Sequence, residues 1–211
     1  MSWRVFFMGE NRKILGTVKL VQLQPDGLIV ERPSGYFYDV SRRVEVDQLL
    51  INSRGIEAIA LSGERVLDIH HLDHPDKEYD DDDLICIGFT SHYDKMRGRF
   101  GDHMVYGSAG ENVIIEFSDE VWLDDLGEKL AFENQDTGQM LILEQPQVAE
   151  PCEEFSHFAA QKQEERLPGS ELKEILQFLS DGRRGFLLVL AKGQEEGSVR
   201  PGDKVYVVRS E

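Results

Sequence analysis

Short apolar runs, each long enough for one β-strand, recur along the chain and are separated by turn-forming residues. The runs at 56–61 and 65–69 flank Ser62-Gly63-Glu64, a spacing that predicts a β-hairpin. Pro25-Asp26-Gly27 and Pro33-Ser34-Gly35 predict two further turns. The runs that predict strands cover residues 14–23, 27–30, 44–51, 56–61, 65–69, 84–89, 113–117, 130–132, 139–143, 186–191 and 205–208.

Three other segments carry apolar residues at helical spacing. The first is expected to end at Gly101. The second is expected to begin with Pro151 at its first position and to run toward residue 163. The third is capped by Ser170 and followed by Gly182. The apolar positions of these helices are Tyr93, Met96 and Phe100, then Phe155, Phe158 and Ala159, then Leu172, Ile175, Leu176 and Leu179.

Many short strands and few helices predict a mainly β fold, a barrel or sandwich with short helices inserted. The sequence contains no internal repeat and no clear linker. A histidine-rich and acidic stretch at 70–83 is a candidate boundary, but it is interpreted more simply as a surface loop. The prediction is therefore one domain over residues 1–211.

The charge of the chain excludes some classes of partner. The formal net charge is −17, and binding to nucleic acids or to anionic membranes requires clustered basic residues. No apolar run approaches the roughly 20 residues that span a bilayer. The apolar stretch at the N-terminus is too short for a signal peptide. We therefore expect a cytoplasmic protein that binds neither nucleic acid nor membrane.

The two cysteines differ in their surroundings. Cys86 lies in an apolar run, which is typical of a buried core thiol. Cys152 follows Pro151 and would lie in the first turn of a helix, where the helix dipole favours a thiolate. Acidic residues at 150, 153 and 154 oppose that charge. Cys152 is a candidate nucleophile, persulfide carrier or metal ligand, and the alternative is a small residue packed under the helix.

Two glycine-containing turns are candidates for binding an anion. The turn at 107–112 precedes a strand, which is the wrong context for a dinucleotide or P-loop motif. Its glycines allow either a close approach of backbone N–H groups to a ligand or only a tight bend. Arg183 and Arg184 lie between Gly182 and Gly185. They predict either a grip on phosphate or carboxylate or a surface pair at a helix C-terminus.

The histidine-rich stretch offers a different chemistry. His70, His71 and His74 lie close together in sequence, and a metal site built from two imidazoles and a carboxylate is conceivable. Their spacing matches no strong zinc pattern, and the chain has no CxxC pair. Polar loop residues are the preferred interpretation, and the acidic run at 80–83 is interpreted as a solvated loop.

The order of four landmarks resembles the MOSC domain, named for the C-terminal domain of molybdenum-cofactor sulfurases. The landmarks are Gly110-Glu111-Asn112, Pro151-Cys152, Gly182-Arg183-Arg184-Gly185-Phe186 and Pro201-Gly202-Asp203-Lys204-Val205. The resemblance is clearest for residues 84–208. In the N-terminal part, 1–83, Gly55-Ile56-Glu57 and Asp68-Ile69-His70 resemble a stretched form of the glycine and Asp-x-His region of the family.

This resemblance implies a distorted MOSC-type β-barrel. It implies that Cys152 carries sulfur as a persulfide or coordinates molybdenum, that Gly110, Glu111 and Asn112 shape the site, and that Arg183 and Arg184 grip an anion. The implied cofactor is the molybdenum cofactor, and the implied partners are a small anionic cofactor or a sulfur donor protein. A separate pyridoxal-phosphate domain is not expected.

Three functions follow as hypotheses. The first is a stand-alone MOSC protein that transfers sulfur or acts as a molybdenum-cofactor-dependent reductase. The second is a non-catalytic binding module that kept the barrel without the chemistry. The third is a metal-dependent enzyme that uses His70, His71 and His74.

Overall fold

A computed structural model describes residues 12–59, 63–77 and 85–209. Strands dominate these residues, and the four α-helices are short. The strands are β1 (Arg12–Leu23), β2 (Ile29–Arg32), β3 (Gly35–Tyr38), β4 (Val44–Val46), β5 (Leu49–Asn52), β6 (Gly55–Ile59), β7 (Arg65–Leu67), β8 (Ile85–Phe89), β9 (Val113–Glu116), β10 (Lys129–Glu133), β11 (Met140–Val148), β12 (Phe186–Leu190), β13 (Glu196–Val199) and β14 (Lys204–Val208). The α-helices are α1 (Thr90–Phe100), α2 (Leu123–Leu126), α3 (Glu153–Ala159) and α4 (Gly169–Leu179), and a 3-10 turn covers Val40–Arg42.

Seven strands close into a barrel in the order β14-β10-β11-β12-β8-β9-β1, with β1 pairing back to β14. β1 closes the barrel because its first half pairs with β14 and its middle pairs with β9. The register shifts near Gly16, and a Cβ on Gly16 would lie 2.5 Å from the Glu116 carbonyl oxygen. Glycine thus permits the close approach of neighbouring strands where β1 bends. The predicted mainly β barrel is confirmed.

β8 and β9 are parallel, and the chain crosses from one to the other through α1 and the glycine turn at 107–112. All five residues of β8 are buried, as expected for a strand in the centre of a covered sheet. Aromatic and aliphatic side chains such as Phe89, Phe132, Phe186 and Leu143 fill the barrel interior and are at most 1% exposed. The crossover places the glycine turn at one end of this barrel.

A second apolar cluster lies among the short helices. It joins α1, α3 and α4 to the hairpin of β2 and β3 through residues such as Tyr38, Tyr93, Phe155 and Ile175. A separate four-stranded sheet has the order β13-β5-β6-β7. No helix in the described ranges is long and apolar enough to cross a membrane.

Several elements differ from the sequence prediction. The run at 44–51 forms two strands, β4 and β5, because the chain leaves the extended pairing at Asp47 and Gln48. β3, β13 and α2 were not predicted. The predicted hairpin at 56–69 is present as paired β6 and β7, although residues 60–62 of its turn lie outside the described residues, as does the acidic run at 80–83.

Candidate functional site

Cys152 is the N-cap of α3 and not a residue of its first turn. Its backbone is extended (φ −92°, ψ 166°), so the predicted start at Pro151 is wrong by two residues. The helix also stops at Ala159, well before residue 163, because Gln161 has a positive φ of 54°. The Phe155 backbone N–H donates to Cys152 Sγ at 3.4 Å, which fixes the direction of the thiol.

The pKa of the Cys152 thiol is raised, first because the sulfur is largely buried. The Phe155 N–H and the positive charge of Arg184 oppose this rise, whereas the charge and the hydrogen bond of Glu154 add to it. Glu153 is directed elsewhere, since its Oε1 lies 3.2 Å from His157 Nε2. The Phe155 N–H and Arg184 therefore stabilise the Cys152 thiolate, although burial keeps the pKa of the thiol above its usual value.

The two adjacent arginines have separate surroundings. Arg183 donates to the Phe178 carbonyl near the C-terminus of α4 and to Glu120 Oε1 at 3.2 Å. Its guanidinium also lies over the rings of Phe178 (4.5 Å) and Trp122 (5.3 Å). These contacts occupy Arg183 at the helix end, so the structure does not bring it to Cys152.

Arg184 points into the site instead. It is partly buried, and its Nε has no hydrogen-bond partner among the described residues. Burial works against its charge, but the ionisable groups around it, Cys86, Tyr38, Cys152 and Glu111, raise its pKa. Arg184 is thus a permanent cation whose buried donor is available for a ligand.

The turn that separates the two arginines requires glycine at both ends. Gly185 has a φ of 133°, and a Cβ there would lie 2.7 Å from the Ile87 carbonyl oxygen. Gly182 has a φ of 92° and lies against the ring of Phe186, with a Cβ position 2.1 Å from Cζ. The turn is therefore pressed against β8 and β12, which fixes the position of Arg184 relative to the barrel.

Two glutamines hold the turn at 107–112. Gln22 lies in β1, and Gln24 directly follows this strand. Gln22 Nε2 donates to the carbonyls of Gly107 (2.9 Å) and Glu111 (2.6 Å), and Gln24 Nε2 donates to that of Gly110 (2.6 Å). Gln22 is 1% exposed. Sequence reasoning missed these residues, although a polar residue at an inward position of an apolar strand was a usable signal.

Glu111 lies beneath the site, 1% exposed, and Tyr93 Oη donates to both of its carboxylate oxygens at 2.9 and 2.7 Å. Burial raises the pKa of Glu111, and Tyr93, Arg184 and Arg43 oppose the rise. A Cβ on Gly88 would lie 2.5 Å from Glu111 Oε1. The carboxylate is thus enclosed between β8 and α1.

Asn112 connects the strands around the site. Its Nδ2 donates to Asp68 Oδ2 at 3.0 Å, and its Oδ1 accepts from the Cys86 N–H at 3.1 Å. Asp68 is fully buried and also accepts from the Gln24 N–H at 2.9 Å. Asn112 therefore positions β8, β1 and the Asp68 segment, and its polar atoms are committed to protein partners.

Tyr38, at the end of β3, was not predicted and completes the site. Its ring packs on Phe155 (5.2 Å) and Phe158 (5.7 Å) of α3. The side chain is buried, and its hydroxyl has no hydrogen-bond partner in the described part of the chain. Burial raises its pKa far above the usual value, Arg184 opposes this, and Cys152 adds to it. Nothing in the sequence indicates which of the three aromatic residues at 36–38 faces the site.

The three histidines do not form the metal site that was the alternative interpretation of this stretch. His70 Nδ1 lies 2.7 Å from Asp68 Oδ1, His71 lies against Gly55, and His74 Nε2 contacts the Pro25 carbonyl at 3.0 Å. Within 12–59, 63–77 and 85–209, no group of three or more His, Cys, Asp or Glu side chains is arranged to hold a metal. The imidazoles are used to fold this segment back onto the sheet.

Comparison with known proteins identifies the family. The MOSC domain model matches residues 74–206, which include Glu111, Cys152 and Arg184. No curated protein matches the sequence.

Solved structures resemble the fold at low sequence identity. The YuaD protein from Bacillus subtilis has a TM-score of 0.56 and 15% identity, with 95% of this chain and 98% of that chain covered. The crystal structure of a hypothetical protein gives a TM-score of 0.53 and 14% identity, covering 93% and 69%. YiiM from Geobacillus stearothermophilus gives 0.47 and 17%, covering 94% and 75%. The family match spans more than half of the chain, and the chain therefore belongs to the MOSC domain family.

Proposed function

We propose that this MOSC protein carries sulfur as a persulfide on Cys152. The observation that supports the proposal is the position of Cys152 Sγ, fixed by the Phe155 N–H in a place where Arg184 favours its anion. Cys152 is half-buried, whereas Cys86 is buried and burial raises the pKa of its thiol to about 12. Of the two thiols, Cys152 is therefore the one suited to transfer.

The proposed step conserves atoms and electrons. Cys152 first loses its proton to solvent, and the thiolate then attacks the outer sulfur of a donor persulfide. One S–S bond forms on Cys152 as the S–S bond of the donor breaks, and the donor leaves as a thiolate. No net oxidation occurs, so the step requires only a persulfide-bearing donor, either a protein or a small molecule.

A molybdenum cofactor is the second candidate ligand of the same site, and the residues fit such a group. Cys152 would hold molybdenum through its sulfur, and the Arg184 Nε, which has no described partner, would donate to an anionic part of the cofactor. Gly110, with a φ of 89°, brings the backbone of the turn next to Tyr38. When bound, the cofactor would supply two-electron redox chemistry, and the chain would supply the thiolate and the cationic donor.

Sulfur loading and metal analysis test both candidates. The protein is purified anaerobically, treated with a persulfide donor and analysed by intact mass spectrometry, with molybdenum measured on the same sample. We expect one added sulfur in the wild type and in the matched control Cys86→Ala, and none in Cys152→Ser. A wild-type protein without added sulfur and without molybdenum would contradict both candidates and favour the non-catalytic binding module.

A further inference from the structure

The hydroxyl of Tyr38 is a buried polar group whose role the persulfide step leaves unexplained. Tyr38 is 4% exposed, and its Oη lacks a hydrogen-bond partner among residues 12–59, 63–77 and 85–209. Burying a hydroxyl without a partner carries a free-energy cost. A phenylalanine would pack on Phe155 and Phe158 equally well without that cost. The hydroxyl is therefore better explained by a ligand than by packing.

The charge beside the hydroxyl suits an anion. A Cβ on Gly110 would lie 3.3 Å from the Tyr38 Oη and 3.2 Å from Gln24 Nε2, so the glycine brings the backbone of the turn against the hydroxyl. The Gly110 carbonyl is turned toward Gln24 Nε2 and is engaged there at 2.6 Å. The Arg184 Nε is a second buried donor without a described partner, and Gly185, the next residue, lies against Glu111, the neighbour of Gly110. Two unpaired donors are thus carried by neighbouring segments, and one of them carries a full positive charge.

Phe155 connects Tyr38 to Cys152. The Tyr38 ring lies 5.2 Å from the ring of Phe155, and the N–H of Phe155 donates to Cys152 Sγ. The Tyr38 N–H donates to Gln163 Oε1 at 2.6 Å, which ties β3 to the segment after α3. Tyr38 also lies outside residues 74–206 that match the family. The N-terminal hairpin therefore adds a donor that the family match does not contain.

We propose that the Tyr38 hydroxyl and the Arg184 guanidinium together bind a sulfur-centred anion at Cys152, either the outer sulfur of its persulfide or an anionic sulfur group of the donor. The placement of that anion at Cys152 rests on the proposed sulfur-carrying function. The two-donor site itself does not, because its residues are in place without a modified thiol. Tyr38 is thus a binding residue, and Arg184 supplies the neutralising charge.

Thiosulfate binding to a protein that lacks the thiol separates the two proposals. In a Cys152→Ser background no sulfur can be transferred, so isothermal titration calorimetry with inorganic thiosulfate reports the anion site alone. We expect binding that Tyr38→Phe weakens by about 10-fold or more, as for loss of one hydrogen bond to a charged group. Tyr36→Phe is the matched control, since Tyr36 is on the same hairpin but 57% exposed, and it should leave the affinity unchanged.

The outcomes decide each proposal separately. Absence of thiosulfate binding at millimolar concentrations, or binding that Tyr38→Phe does not change, would overturn the two-donor site even if Cys152 loads sulfur. Tyr38-dependent binding with no sulfur loading of the wild type would instead leave the site standing and remove the sulfur-carrying function. Thermal unfolding checks the fold: without its unpaired hydroxyl, Tyr38→Phe should be as stable as Tyr38 protein or more so. A clear loss of stability would show that the hydroxyl has a structural partner and would overturn the inference.

Discussion

Protonation of His92 is expected to destabilise the fold below neutral pH. His92 is 1% exposed on α1, its Nε2 accepts from the Val121 N–H at 3.2 Å, and its ring lies 6.3 Å from that of Phe186. Burial, reinforced by the charge of Arg183, lowers its pKa to about 4. Phe186 follows the turn that carries Arg184, so the His92 imidazole packs against the residue next to this turn.

The direction and size of this loss of stability follow from the linkage between protonation and folding. In the unfolded chain a histidine titrates near pH 6.5, and in the folded protein His92 stays neutral until about pH 4. The unfolded state therefore binds more protons between these two pH values. The contribution of neutral His92 to the free energy of unfolding is fully present above pH 6.5 and is lost as the pH falls. The loss is about 1.4 kcal/mol at pH 5.5 and about 3 kcal/mol at pH 4.

Urea unfolding of the wild type and His92→Gln at pH 7.5, 5.5 and 4.5 measures this contribution. Glutamine keeps an acceptor for the Val121 N–H but does not titrate, so the variant should lose less stability on acidification than the wild type. The variant is needed because the raised pKa of Glu111 favours folding as the pH falls, which opposes the effect of His92 in the wild type. His74→Gln controls for loss of an imidazole. Equal pH slopes for the wild type and His92→Gln would refute the reasoning.

Two further predictions concern the site and its turn. Because Arg184 lowers and Glu154 raises the pKa of the Cys152 thiol, Arg184→Met should move the pH dependence of iodoacetamide alkylation to higher pH, and Glu154→Gln should move it to lower pH. Shifts in the same direction would contradict this. Gly185→Ala should cost on the order of 2–4 kcal/mol in thermal unfolding, because a positive φ adds to a 2.7 Å contact with the Ile87 carbonyl. Gly193→Ala, with a φ of 88° and open space, should cost only about 1 kcal/mol, and equal losses would refute the steric argument.

Local sequence patterns predicted most of the strands and helices, but not which strands pair with each other. The apolar spacing of α4 and the buried run of β8 are properties of short segments, and both are present. The pairing of β1 with β14 joins the two ends of the described chain, and no local pattern encodes it. β13, with the sequence Glu-Gly-Ser-Val, lacks an apolar pattern and is a strand only because it pairs with β5.

The candidate site shows the same limit at the level of single side chains. Arg183 and Arg184 are adjacent and chemically identical, so the sequence could only assign them together. The turn between Gly182 and Gly185 sends Arg183 to Glu120 and Trp122 and leaves Arg184 among the ionisable groups of the site. Their separation is a consequence of backbone direction, which the sequence motif does not specify.

The charge around Cys152 is likewise set by the fold and not by its neighbours in sequence. Three nearby glutamates were expected to oppose a thiolate, yet Glu153 pairs with His157, and it is Glu154 that raises the pKa of the thiol. The opposing charge comes from Arg184, more than 30 positions away in the sequence. The contribution of Arg184 therefore exists only in the folded chain, because unfolding separates the two groups. Since burial raises the pKa of the thiol overall, unfolding is expected to make the thiolate easier to form even though it removes Arg184.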